Sequence, residues 1–256
     1  MKKCNIIFII SSCFLSTTIA QMPVITAVEP VSEQVTIYNK FEVELDVTAN
    51  YTNPYNYDEI AITTLFTAPD GRTFEVDGFF MQDFDLNTQS GNIAALNHGV
   101  FKVRFAPDQP GEWRYVVSCA TTSNTATFTE KKFKCVPGLN NKGFVRRNIT
   151  NYLQFDNGKQ YIPIGENMAW QVGNAYQDYK NWLTKLSDNG GNFFRMWQAH
   201  WGLGIEWRNG TSGFQGLQKY KQTSAFYQDW LFDYCTENDI YIMFCIQHHG
   251  QVSTNV

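Results

Sequence analysis

The residues most able to do chemistry lie between Asn192 and Trp207, in the run NFFRMWQAHWGLGIEW. A short apolar segment, Phe193 to Trp197, contains Arg195. The loop after it carries His200, Trp201, Glu206 and Trp207. A charge inside a strand core is costly unless paired, so Arg195 is expected to face a carboxylate or a ligand. Indole rings on a loop set flat apolar faces beside polar groups, and a sugar ring packs against such a surface. Asn167 and Trp170 end the preceding apolar segment, and His248 and His249 end the following one. The candidate substrate-binding set is therefore Asn167, Trp170, Arg195, Trp197, His200, Trp201, Trp207, His248 and His249. Trp197 fits core filling as well as site lining, and one at most of the two adjacent histidines is expected to face the site. His200 and His248 lack a third ligand in the sequence, so neither a metal nor another cofactor is expected.

These segments need a frame. Tyr161–Gly165 reads as a short apolar strand. A helix follows, with Asn174 as N-cap, Tyr179, Trp182, Leu183 and Leu186 at helical spacing, and Gly190 just past its end. Phe193–Trp197 is the next strand. A second helix starts near Thr223 or Ser224, with Phe226, Tyr227, Trp230, Leu231 and Tyr234 on one face, and Ile240–Ile246 is a third strand. Near-continuous apolar strands alternating with helices predict parallel βαβ units. No G-x-G-x-x-G follows the first strand, which argues against a dinucleotide-binding fold. Polar and aromatic groups gather at the strand ends, as at the mouth of a (β/α)8 barrel. Three βα units precede Val256, so residues 138–256 are expected to be the truncated opening of such a TIM barrel.

Residues 21–137 follow a different pattern. Short alternating runs occur at Val35–Ile37, Phe41–Val47, Ile60–Ala68, Thr73–Phe80, Gly99–Phe105, Gly111–Cys119 and Thr125–Cys135. Pro69-Asp70-Gly71 is a turn whose proline sets φ and whose glycine supplies positive φ. Trp113, Tyr115 and Val117 share one face and belong in a core. This spacing predicts an immunoglobulin-like antiparallel β-sandwich. Phe79, Phe80, Met81 and Phe84 are candidates for contact with the second domain.

Lys2 and Lys3, the apolar run Ile6–Leu15 and Thr18-Ile19-Ala20 give residues 1–20 the layout of a secretory signal peptide. The expected location is secreted, periplasmic or at the cell surface, and no later run is long and apolar enough to span a membrane. Four cysteines remain after such cleavage, Cys119, Cys135, Cys235 and Cys245, and all are expected as free thiols. A formal net charge of −4 offers no basic field to nucleic acid.

Two resemblances add to these readings. GRTFEVDGFF (Gly71–Phe80) and RFAPDQPGEWRYVVSC (Arg104–Cys119) resemble the immunoglobulin-like domain of unknown function, type 5060, that precedes glycoside hydrolase barrels in secreted bacterial proteins. FDNGKQYIPIGENMAW (Phe155–Trp170), GGNFFRMW (Gly190–Trp197) and IYIMFCIQHHGQ (Ile240–Gln251) resemble the opening of a retaining glycoside hydrolase barrel of the cellulase and mannanase clan. The second resemblance implies that Arg195 supports a nucleophile carboxylate and that His248 or His249 lines a sugar site. It places the catalytic acids after strands four and seven, beyond this sequence, so no catalytic residue carries over. Of the acids near the expected mouth, Glu166 and Glu206 each have a structural alternative. The expected function is that of a fragment of a secreted glycoside hydrolase acting on β-linked polysaccharide with retention. The alternative is a non-catalytic carbohydrate-binding or adhesion protein.

Overall fold

The structure, a computed structural model, describes residues 22–139 and 141–247, without the side chains of Asn97 and His98. The expected signal segment and both His248 and His249 lie outside the described residues.

Alternating apolar and polar residues build strands β1 (Val24–Pro30), β2 (Gln34–Thr36), β3 (Phe41–Thr48), β4 (Ile60–Thr67), β5 (Thr73–Asp77) and β6 (Phe79–Leu86). β7 (Ile93–Phe105), β8 (Gly111–Thr121), β9 (Thr125–Thr127) and β10 (Lys131–Val136) follow. One sheet has the order β1-β3-β7-β6, and the other β2-β10-β8-β4-β5 with β9 beside β8. Pairing is antiparallel except between β10 and β2. The inner faces meet in a shared core: Val28, Val43, Phe101 and Val103 from the first sheet, Ile62, Phe66, Trp113, Tyr115 and Phe133 from the second. Phe41 and Phe133 stack across it at 3.8 Å, and the Trp113 Nε1–H donates to the Gln109 carbonyl at 2.8 Å. The sandwich is therefore held by aromatic burial.

The expected single strand Thr73–Phe80 divides at Gly78, where the chain leaves the second sheet for the first. A Cβ at Gly78 would lie 2.6 Å from Ile62 Cγ2, so a side chain there would displace the β4 core.

Beyond Val136 come β11 (Val145–Arg147), β12 (Leu153–Phe155) and β13 (Gln160–Tyr161), an antiparallel sheet, and then β14 (Gly165–Asn167). Helix α1 (Ala175–Asp188) leads to β15 (Phe193–Trp197), and α2 (Gln222–Glu237) to β16 (Tyr241–Cys245). Asn174 caps α1 by accepting the Gln177 N–H, and Gly190 follows with φ +78. β14, β15 and β16 pair in parallel.

The expected opening of a (β/α)8 barrel is corrected. Among the described residues strand makes up 42% and helix 13%, with two helices, so the chain is mainly β-sheet and sandwich-like. Strand–helix alternation specifies local parallel crossovers. Closure into a barrel needs a consistent tilt and stagger around the ring as well. Here the parallel sheet is open, and β14 is three residues long and exposed throughout.

α2 keeps most of its expected face: Tyr227, Trp230, Leu231 and Tyr234 pack on one core, and Phe226 alone turns away. Its buried residues are Ser224, Gln228, Leu231 and Cys235. Leu231 and Cys235 join the core formed with α1 and β15, whereas Phe226 turns to Phe84 of β6 at 5.5 Å. The helix lies between two partners, so Phe226 faces the sandwich while the other four face the core with α1. No described helix is long and apolar enough to cross a membrane.

Candidate functional site

The candidate residues stand around the ends of β14 and β15. Gly165 permits that pairing: a Cβ there would lie 1.5 Å from the Phe193 carbonyl oxygen. Asn167 is paired opposite Arg195 and is exposed. On β15, Phe194 and Met196 are fully buried in the core with α1 and α2. Period-two geometry turns Phe193, Arg195 and Trp197 to the other face.

Arg195 has a different partner from the expected carboxylate. Its Nε–H donates to Cys245 Sγ at 3.2 Å, and its guanidinium carbon lies 4.9 Å above the Trp197 ring. Among the described residues no carboxylate pairs with it. Cys245 directly faces Trp197 in the β15–β16 register, which brings its thiol beside that face. All four described cysteines are free.

From Trp197 the aromatic rings form a continuous run. Trp170 lies 5.4 Å from Trp197 and 5.6 Å from Trp201, meeting the latter edge to face. His200 lies 4.6 Å from Trp201 and 4.7 Å from Trp207. Trp197 is buried, whereas Trp201 is 41% exposed. The structure thus brings together Trp170, Arg195, Trp197, His200, Trp201 and Trp207. A groove of about 760 Å³ along β14 takes in Asn167, Trp170 and Glu166 but neither Arg195 nor Trp201. Trp170 is the link between groove and aromatic run, and the run is the better candidate because the groove follows an unpaired strand edge.

Burial, then the nearby Arg208, lowers the His200 pKa below 6.5. Its Nδ1 is enclosed without a hydrogen-bond partner. The lowered pKa favours the neutral imidazole, which keeps one N–H donor and one acceptor.

The loop is shaped by polar residues that sequence reasoning missed. Gln198 Oε1 accepts the Ile205 N–H at 3.2 Å, and the buried Gln228 donates to the Leu203 carbonyl. A signal for Gln228 existed: it lies four residues after Ser224 and three before Leu231, on the buried stripe of α2. Glu206 Oε1 accepts the Gln218 N–H at 2.5 Å, closing the loop where Trp207 bridges to Gly216. Glu206 is thereby committed to loop structure. Glu166 stands exposed on the β14 edge. Among the described residues no group of three His, Cys, Asp or Glu is placed to hold a metal.

The domain of unknown function DUF5060 matches residues 34–120. This part of the chain is a DUF5060 domain. It runs from β2 almost to the end of β8. Among solved structures, a "putative glycoside hydrolase" from Bacteroides vulgatus ATCC 8482 shares the fold with a TM-score of 0.61 at 17% identity. The match covers 87% of this chain and 43% of that one, so this chain spans less than half the length of that protein. A conjugative transposon lipoprotein from Bacteroides eggerthii DSM 20697 aligns over 44% of this chain and 94% of its own, at 12% identity and a TM-score of 0.23. No curated protein matches the chain.

Proposed function

We propose that this chain serves an exported, glycoside hydrolase-like protein by holding β-linked polysaccharide along the aromatic run. The observation that carries this reading is Trp201, 41% exposed and propped edge-on between Trp170 and His200. An indole fixed in orientation but open on a face suits the apolar face of a β-linked sugar. The presence of a DUF5060 domain and the description of the Bacteroides vulgatus protein as a glycoside hydrolase support the same class. In this reading Asn167 and Trp170 extend the surface toward the β14 groove.

Hydrolysis with retention needs two carboxyl groups about 5–5.5 Å apart. Neither Glu166 nor Glu206 is assigned that role. The engagement of Glu206 with the Gln218 N–H favours a second reading, in which the chain binds carbohydrate without cleaving it.

The test is retention of the purified chain on insoluble β-glucan and β-mannan, followed by reducing-sugar release. Retention that Trp201→Ala abolishes is expected, with no sugar released. Equal retention of the Trp201→Ala chain, or none by either, overturns the site. Sugar release that Glu206→Gln abolishes would give Glu206 a catalytic role and reject the second reading.

A further inference from the structure

The loop bearing Trp207 is held at its base by two residues that grip one strained peptide from opposite sides. Gln218 adopts φ +57, a conformation that a residue with a side chain rarely takes without support. Its N–H donates to Glu206 Oε1 at 2.5 Å, and its carbonyl accepts from Asn53 Nδ2 at 2.8 Å. Glu206 belongs to the loop itself. Asn53 belongs to the DUF5060 domain, 165 residues away in sequence, and is 7% exposed.

Asn53 is oriented by its own surroundings. Its Oδ1 accepts the Tyr55 N–H at 3.3 Å, which leaves Nδ2 facing Gln218. The backbone beneath it is fixed by Glu59, whose Oε2 accepts from Thr52 N, Thr52 Oγ1 and Asn53 N at 2.6, 2.8 and 3.1 Å. Tyr55 then meets Tyr220 at 5.1 Å, and Gln222 Oε1 accepts the Gln82 N–H at 2.7 Å. Contacts from the domain thus cover both sides of the point where the loop turns into α2. A buried amide left without its partner is destabilised, so the domain and the loop base hold each other in one arrangement.

We propose that Asn53 of the DUF5060 domain and Glu206 are positioning residues for the glycan site: together they clamp Gln218 and so fix the loop that presents Trp207 to His200 and Trp201. This rests on the carbohydrate reading of the aromatic run. The domain acts as the wall that sets the shape of the loop, and glycan affinity depends on a residue that touches no glycan.

The experiment uses the full chain with Asn53→Asp, Glu206→Ala and Glu206→Gln. Asp at position 53 keeps the acceptor for the Tyr55 N–H but turns a carboxylate oxygen toward the Gln218 carbonyl. Gln at position 206 keeps the acceptor for the Gln218 N–H. Hydrogen exchange is followed at residues 206–218 and in β8 without ligand, and binding is followed by tryptophan fluorescence with cellohexaose and mannohexaose. In Asn53→Asp and Glu206→Ala, exchange across 206–218 should rise about tenfold or more while β8 stays protected. Hexaose binding should weaken about tenfold in the same two proteins, and Glu206→Gln should restore both readouts. Unchanged exchange at 206–218 in Asn53→Asp overturns the clamp, whatever the binding result. A loosened loop with undiminished hexaose binding overturns the positioning role. If the unmutated chain binds neither hexaose yet Asn53→Asp loosens the loop, the carbohydrate reading fails and the clamp stands. Loss in Glu206→Gln equal to that in Glu206→Ala also overturns the positioning role, because the acceptor is retained there.

Discussion

Arg104 of β7 and Asp229 of α2 are joined by two parallel hydrogen bonds of 2.7 and 2.6 Å. The same guanidinium donates its Nε–H to Glu42 at 2.5 Å and lies 4.9 Å from the Phe79 ring. The pair therefore sits on a sandwich strand, a helix and an aromatic floor at once. Burial opposes charge on Arg104, yet Asp229 and Glu42 more than offset it and raise its pKa. A paired charge of this kind is secure only while both partners remain.

Asp229→Ala should accordingly cost about 2–3 kcal/mol, because it leaves a partly buried guanidinium short of an acceptor. Lys40→Ala is the control. Its ion pair with Asp233 also joins the sandwich to α2, but those side chains are 41% and 56% exposed. That change should cost less than about 1 kcal/mol. Urea unfolding monitored by tryptophan fluorescence measures both, and equal midpoints for the two variants would contradict the account.

The loop that orients Asn53 should resist acid. Hydrogen bonds from the Thr52 backbone, the Thr52 hydroxyl and Asn56 lower the Glu59 pKa to about 2 from an ordinary 4.5. A carboxyl depressed on folding contributes stability above its unfolded pKa and loses it as pH falls through the folded one. The window here runs from about 4.5 down to about 2. Carbon-detected titration of the Glu59 carboxyl should give a midpoint near 2. Amide protection at Thr52 and Asn53 should persist at about pH 3.5 in the native chain and be lost in Glu59→Gln.

Much of the sandwich is legible in the sequence because its code is local. Trp113, Tyr115 and Val117 stand at every second position, and all three are buried. β1 escaped because its pairing slips between Ile25 and Ala27, which breaks the period of two. The crossing at Gly78 escaped because alternation runs on through it while the chain changes sheets. The aromatic run was legible as residue types, since Trp170, Trp201 and Trp207 lie near strand ends. Its supports were not. The Arg195 partner is a thiol 50 residues away, and the Gln218 carbonyl is held from Asn53. Neither pairing has a periodic signature. The barrel expectation failed for the same reason: crossover pattern is local, but closure is a property of the whole sheet.

Gly165 sets how closely β14 approaches β15. Ala at this position would place Cβ 1.5 Å from the Phe193 carbonyl oxygen, a backbone atom that no rotamer change can remove. Gly165→Ala should push β14 off the sheet and destabilise the chain by about 3 kcal/mol. Gly158→Ala provides the contrast: nothing lies within 4 Å of its Cβ, so only the strain of φ +83 remains, about 1–2 kcal/mol. Hydrogen exchange should separate them. Gly165→Ala exposes Asn167 and Arg195 amides, whereas Gly158→Ala leaves those amides protected.

His200 carries a pH signature that reports on the aromatic run without any ligand. Burial is the larger cause of its lowered pKa, and Arg208 adds to it. A base whose pKa falls on folding resists protonation in the native state. Its contribution to stability is therefore full above the unfolded value near 6.5 and declines as pH falls below it. Proton NMR of the His200 ring should give a midpoint under 6.5. Arg208→Gln should raise that midpoint yet leave it short of 6.5, because burial against Trp201 and Trp207 persists. Trp207→Ala opens one side of the ring and should move the midpoint further than Arg208→Gln does. A midpoint that follows Arg208 alone and ignores Trp207 would mean that the imidazole is solvated, and the packed run from Trp170 to Trp207 would lose its central member.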